Sequence, residues 1–271
     1  MAEHGAEARP LAGGQSLVPM MNFRLARPSV LIDINRLSAL AAITTGPGTV
    51  RLGAMVREKA AEQSDVVAAG IPLLACALPL IGHEAIRSRG TIGGSLSHSD
   101  PAAELPAVAV AAGARLTAAS AGRGSRVIAA EDFFTSHFTT ALADDELLTD
   151  VEFPASDGST GVAFEEMARR HGDFAIVGVA ATLRVEGGLI GAVRVVLTGV
   201  SSTPFRSSAA EGVLLGAEPS EAVFAEAGEA VAAEIDPPAD LHGSSAYRRY
   251  VAATMTRRSL ALAAQRIGAR S

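Results

Sequence analysis

Two diglycine loops, Ala12-Gly13-Gly14-Gln15-Ser16 and Thr91-Ile92-Gly93-Gly94-Ser95, stand 80 residues apart in a chain otherwise poor in residues suited to chemistry. Paired glycines let the backbone take positive φ and bring successive N–H groups close to an anion, while a flanking Ser or Thr adds a hydroxyl donor. A diphosphate suits such a set of donors. Neither loop is a Walker A loop, because Gly14 is followed by Gln15 and Gly94 by Ser95 where a Lys is needed, and no G-x-G-x-x-G follows an apolar strand. Either loop alone reads as a tight turn. Two of them, each beside a hydroxyl, are harder to dismiss.

The remaining chemistry-bearing residues narrow the field. Cys76 is the single cysteine, so the chain forms no internal disulfide and does not by itself ligate an iron–sulfur cluster, which takes about four thiolates. Redox work here needs an organic cofactor. Between Ala75 and Ala77, Cys76 itself reads as a small buried apolar residue. The six histidines, His4, His83, His98, His137, His171 and His242, show no zinc-site spacing. Ser97-His98-Ser99-Asp100 superficially offers hydrolase chemistry, yet neighbours in an extended segment point to opposite faces and triad members converge from separate segments. A cofactor-contacting loop is the better reading.

Composition sets further bounds. At 271 residues and 27.6 kDa the chain is long enough for one large domain or two ordinary ones. A net charge of −6, a pI near 5.6 and the absence of a basic run argue against a nucleic-acid groove. The longest apolar stretch, Val66 to Gly82, is at the short limit for a membrane span and contains Pro72 and Pro79, so it reads as a buried helix and loop. Met1 to Arg9 mixes charges of both signs without an apolar segment; no secretory signal is visible and a cytoplasmic location is expected.

The elements that must position the loops form an α+β pattern. Val30 to Ile34 and Thr49 to Leu52 read as strands, Arg57 to Ala69 as one helix, and a second helix starts at Ile71-Pro72, where proline suits a helix N-terminus. Leu105 to Ala112 is a small-residue helix behind the second glycine loop. Arg115 to Ala119 and Arg126 to Ile128 pair as strands around Gly122-Arg123-Gly124. A boundary falls in Pro154 to Gly161, where Asp, Gly, Ser and Thr accumulate. Strands at Ile176 to Val185 and Gly191 to Leu197 follow, joined by a hairpin at Glu186-Gly187-Gly188. Two Ala-rich helices, Glu221 to Ile235 and Ser245 to Ile267, end the chain, the second with Ser244 or Ser245 as N-cap.

At the two loops the chain resembles a known family. Pro10 to Pro19 and Ile86 to Pro106 resemble the two FAD-binding signatures of the medium, flavoprotein subunit of molybdenum hydroxylases, of the carbon monoxide dehydrogenase medium-subunit and xanthine dehydrogenase FAD-subunit type. The likeness continues through Arg169 to Ala175, Thr203 to Arg206 and Ser245 to Arg249, nearly the whole chain. It implies an α+β fold: a two-subdomain PCMH-type FAD-binding domain over 1–154, then a smaller C-terminal domain of antiparallel sheet and helices over 161–271. By resemblance, Ala12, Gly13, Gly14, Gln15, Ser16, Leu17, Thr91, Ile92, Gly93, Gly94 and Ser95 hold the pyrophosphate and ribityl chain, and Glu104 is an acidic FAD contact. Asp173 and Phe174 belong to a segment whose aromatic lies near the isoalloxazine ring; Phe174 alternatively packs in the core, and Arg169 and Arg170 read as surface charges.

The resemblance further implies an electron-transfer oxidoreductase subunit whose FAD takes electrons from 2Fe-2S clusters and passes them to NAD⁺, a quinone or another acceptor. The clusters and the molybdopterin are expected on a small and a large partner subunit, in a dimer of heterotrimers. No catalytic residue and no metal ligand is assigned to this chain. Gln15 stands where some related flavin oxidases attach FAD through His, so the cofactor is expected to be non-covalent. Glu165 and Glu166 occupy a stretch where relatives commonly carry Lys near the flavin. The chain starts at what resembles the end of the family's first helix, so the Val30 strand is expected to lack a neighbouring strand that relatives supply. Two alternatives are a free-standing FAD oxidoreductase of the same superfamily and a scaffold that has lost FAD.

Overall fold

In the computed structural model, which describes residues 3–267, the N-terminal subdomain is small. Strand β1 (Ala8–Leu11) leads through the first glycine loop into helix α1 (Leu17–Asn22), and the chain returns as β2 (Val30–Asp33). The two strands pair in parallel, Ala8 opposite Val30 and Leu11 opposite Asp33. Ala8 to Leu11, which the sequence reading did not place as a strand, folds back as a neighbour of the Val30 strand.

The middle subdomain follows with β3 (Ile43–Gly46), β4 (Thr49–Gly53), α2 (Glu58–Glu62), α3 (Asp65–Gly70), α4 (Pro72–Ala77), α5 (Glu84–Arg87), α6 (Ile92–His98) and α7 (Glu104–Ala111). Next come β5 (Arg115–Ser120), β6 (Gly124–Ala129), α8 (Ala130–Phe133), the short pair β7 (Phe134–Ser136) and β8 (Thr139–Thr140), and β9 (Leu147–Pro154). The sheet order is β3-β4-β9-β5-β6. One helix was expected over 57–69; the chain breaks at Gln63 and Ser64 instead, and the Ser64 hydroxyl accepts from the Val67 amide to start α3. Serine competes with the helix interior and favours the cap.

The C-terminal domain is an antiparallel sheet, β10 (Thr160–Met167), β11 (Val177–Glu186), β12 (Leu189–Thr198) and β13 (Phe205–Arg206), with α9 (Ser208–Leu214), α10 (Glu221–Glu234) and α11 (Ser245–Gln265). Ser244 caps α11, accepting from Tyr247 N. The sheet is buried on both faces. Phe164, Ala180 and Val196, in one cross-strand row, join the core of the middle subdomain, whereas Ala163, Val179, Ala181, Val195 and Leu197 pack under α10 and α11. Such a strand reads as a near-continuous apolar run, as 176–185 does. Helix α7 packs against β11 and β12 and against α4, α6 and α8, and all eight of its residues are buried.

Candidate functional site

The first glycine loop closes the turn from β1 to α1. Gly14 takes φ +72°, the left-handed region that Gly enters without steric cost, and its carbonyl accepts from Val18 N at 3.1 Å. The amides of Gly13, Gly14, Gln15 and Ser16 find no acceptor among the described residues. Four consecutive unpaired N–H groups around a left-handed glycine form a nest for an anion. Gln15 turns its side-chain amide back to Gly13 O at 3.2 Å, and Leu17 is the first residue of α1, half-buried.

The second loop is built differently. Its amides are engaged: Ile92 N donates to Val56 O at 3.0 Å, Gly93 N to Ala54 O at 2.9 Å, Gly94 N to the Thr91 hydroxyl at 3.1 Å and Ser95 N to Thr91 O at 3.0 Å. Gly93 is needed for close packing, since a Cβ there would lie 2.3 Å from the Ala54 Cβ. The half-buried Ser95 hydroxyl remains for a ligand.

The two loops meet. A Cβ on Gly13 would fall 2.3 Å from Arg89 O, and one on Gly94 would be 3.6 Å from the Ala12 Cβ. Two residues that the sequence did not single out hold this contact. Asn35, just after β2, donates to Leu11 O at 3.1 Å and Ala12 O at 3.0 Å, and its Oδ1 accepts from Arg57 Nη2 at 2.8 Å. The other guanidinium nitrogen of Arg57 donates to Arg89 O, so the strap runs from one loop to the other. The only sequence signal was a polar pair, Asp33 and Asn35, at the end of an apolar strand.

Glu104 sits at the first turn of α7, 4% exposed, and burial pushes its carboxyl up to about 7. Ser97, His98 and Asp100 make no triad: the His98 ring lies 5.0 Å from Phe138, burial lowers its pKa, Ser99 bends the chain at φ +53°, and Asp100 accepts from Ala102 N. Asp173 and Phe174 lie on the turn between β10 and β11, with Phe174 62% exposed, so it is no core residue. That turn meets the middle subdomain at Gly82 and His83, where a Cβ on Gly172 would lie 2.6 Å from the His83 ring. Arg169 and Arg170 are exposed. Cys76 is half-buried and its sulfur accepts from Arg266 Nη1 at 3.2 Å.

A nest of free amides strapped to a second glycine loop, outside the Walker and G-x-G-x-x-G classes, suits the phosphates of a dinucleotide. Comparison with known proteins assigns the family. The FAD binding domain in molybdopterin dehydrogenase matches residues 1–156, and the CO dehydrogenase flavoprotein C-terminal domain matches 162–263. Subunit alpha of the 6-hydroxypseudooxynicotine dehydrogenase complex of Paenarthrobacter nicotinovorans is 41% identical over 98% of this chain and 90% of its own length. Carbon monoxide dehydrogenase from Hydrogenophaga pseudoflava superposes with a TM-score of 0.95 at 38% identity, covering 98% of this chain and 92% of the other. Quinoline 2-oxidoreductase from Pseudomonas putida 86 gives 0.92 at 37%, covering 97% and 91%. The chain belongs to the FAD-binding medium subunits of molybdenum hydroxylases, of the carbon monoxide dehydrogenase type. It is an oxidoreductase flavoprotein subunit, with FAD as its cofactor.

Proposed function

We propose that this subunit is the electron exit of its complex: electrons arriving from 2Fe-2S clusters of a small partner pass through its FAD to NAD⁺, a quinone or another acceptor. The observation that supports this most is the set of four free amides at Gly13 to Ser16, which suits the two negative phosphates of FAD without a lysine. Bound FAD supplies two-electron and one-electron chemistry that no side chain here has. The protein's own part is to hold it. Ala12 to Leu17 take the pyrophosphate; the hydroxyl of Ser95, with Thr91, Ile92, Gly93 and Gly94 as its rigid support, and Glu104 take the sugar chain. Asp173 and Phe174 serve the ring edge, Phe174 as an exposed flat cover. We take the division as FAD-binding domain over 1–154 and C-terminal domain over 161–271, in keeping with the bend at 155–159 between β9 and β10.

Gln15 cannot form a histidyl link, so the cofactor is held non-covalently. Purified protein is expected to carry one FAD per chain and release all of it on acid precipitation; flavin that stays in the pellet, or a folded colourless chain, refutes this. The partners are a small iron–sulfur and a large molybdopterin subunit in a dimer of heterotrimers, in the cytoplasm. Among the described residues no helix is long and apolar enough to cross a membrane, and no cluster of His, Cys, Asp or Glu fits a metal. The isolated chain is expected to be inactive on organic substrates while oxidising NADH or reducing dyes. Size-exclusion chromatography of the co-expressed set, with cofactor analysis, checks the assembly. Turnover of an organic substrate by the single chain would favour a free-standing flavin oxidoreductase.

A further inference from the structure

Two adjacent arginines near the start of α11 have different surroundings. Arg249 reaches Ile235 O and the exposed Asp236, just past the end of α10. Arg248 turns inward and is 5% exposed. Its Nη1 donates to Ile176 O and, at 2.8 Å, to Gly199 O, while Nη2 pairs with Asp240 at 2.6 Å. The flavin reading above gives this buried cation no task.

The two carbonyls lie where the sheet comes apart. The pairing of β11 with β12 ends at Gly178 and Thr198, so Ile176 and Gly199 stand just beyond the ladder, and the guanidinium supplies donors in its place. The chain stays close there. Gly199 has φ +80°, and a Cβ on it would lie 2.5 Å from Ile176 O and 3.2 Å from Ala175 O. Its amide donates to Pro101 O at 2.8 Å, and the neighbouring Thr198 hydroxyl holds Pro101 O and Ala103 O. One guanidinium therefore joins the exit of the turn that carries Asp173 and Phe174 to the segment leading into α7.

The base of that turn is closed by Ile176 N, which donates to Met167 O at 2.7 Å. Phe174 is 62% exposed, so the place of its ring follows from the backbone at Ala175 and Ile176 rather than from packing. Arginine suits the anchoring position, because its rigid fork aims several donors at once where a lysine offers one mobile point charge. Asp240 is itself held. Its Oδ1 accepts from His242 N at 2.8 Å and Gly243 N at 3.1 Å, which leaves Oδ2 to orient Arg248.

We propose that Arg248, oriented by Asp240, is a positioning residue of the flavin site: it fixes the backbone behind Phe174 against Gly199 and Pro101, and so sets where the aromatic ring lies over the isoalloxazine. It acts through Phe174. The inference rests on the FAD reading above, in which Phe174 covers the ring.

The test is a double-mutant cycle on FAD affinity, measured by fluorescence quenching on the flavin-stripped full chain. Asp240 is the side chain to change, because it is 43% exposed and its replacement leaves Arg248 beside the two buried carbonyls. Asp240→Asn keeps an acceptor for the two amides but removes the charge that orients the guanidinium. It is expected to raise Kd about fivefold in wild type and by less than about 1.5-fold in Phe174→Ala, while the fall in melting temperature is equal in both backgrounds. Asp236→Asn, which breaks the neighbouring pair with Arg249, leaves Kd unchanged. Arg248→Lys, a point charge in place of the fork, weakens binding at least as much as Asp240→Asn. No loss of affinity from Asp240→Asn in wild type, an undiminished loss in Phe174→Ala, or an equal loss from Asp236→Asn overturns the proposal. A wild type that binds no FAD, or a Phe174→Ala chain with unchanged Kd, overturns the FAD reading itself and the proposal with it.

Discussion

Asn35 holds the first glycine loop in place although it belongs to no motif. Its side-chain amide bonds two consecutive carbonyls, Leu11 and Ala12, and its oxygen receives Arg57, which in turn reaches Arg89 at the second loop. Because Asn35 is exposed, these bonds contribute little to global stability; their effect is on the aim of the free amides. Asn35→Ala is expected to weaken FAD binding about tenfold, about 1.4 kcal/mol, while unfolding shifts by less than about 0.5 kcal/mol. Parallel flavin titration and thermal melts check this, and an unchanged Kd would count against the strap. Gly14→Val is a harsher change. A β-branched side chain at φ +72° is strained, and its Cβ would start 3.2 Å from Val18. Loss of flavin from a folded protein is the expected outcome, measured by absorbance per chain.

At the scale of elements, the second glycine loop owes its shape to a helix cap. Thr91 is 2% exposed, and its hydroxyl accepts from Gly94 N at the start of α6. Removing it leaves that amide unpaired, so Thr91→Ala is expected to cost about 1 kcal/mol, with Thr91→Ser recovering most of it. A lower denaturant midpoint at constant slope is the signature. The break between α2 and α3 has the same origin. Arg57 to Ala69 read as one helix, but Ser64 satisfies Val67 N better as a cap than it would inside a helix. Helix α7 shows the converse: Arg194 of β12 donates to Val110 O near its C-terminus, closing with a side chain an end that lies against another domain.

At the scale of the molecule, the seam between the domains is a core rather than a hinge. The β10–β12 sheet buries one face against α7 and α4, and Thr198, Gly199 and Arg206 bond across to Pro101, Ala103 and Glu131. Arg266 of α11 reaches over to Cys76. The two halves are therefore expected to unfold in one transition. Thr198→Val, which strips the bonds to Pro101 and Ala103, should lower that single midpoint by about 1–3 kcal/mol without splitting it. Differential scanning calorimetry decides, and two separate peaks would contradict the shared core.

Local chemistry was legible in the chain itself. A glycine pair permits positive φ wherever it stands, a single cysteine rules out a four-thiolate cluster before any folding, and the near-continuous apolar run at 176–185 already read as a strand. The family signatures rest on these local features. What the linear pattern did not hold was the fate of each polar group, because that depends on what packs against it from far along the chain. Both loops looked alike as sequences; Ala54 and Val56 consume the amides of the second, while those of the first stay free. Asn35 and Arg57 gained their role only when β2 and α2 came beside the loops. Ala8 to Leu11 became the partner of the Val30 strand by folding back on it. Glu165 and Glu166 were an indistinguishable pair until β10 was placed between two layers, turning one toward an arginine and the other toward buried Glu104. Side-chain alternation follows from the strand, but which face meets which layer is set by tertiary packing.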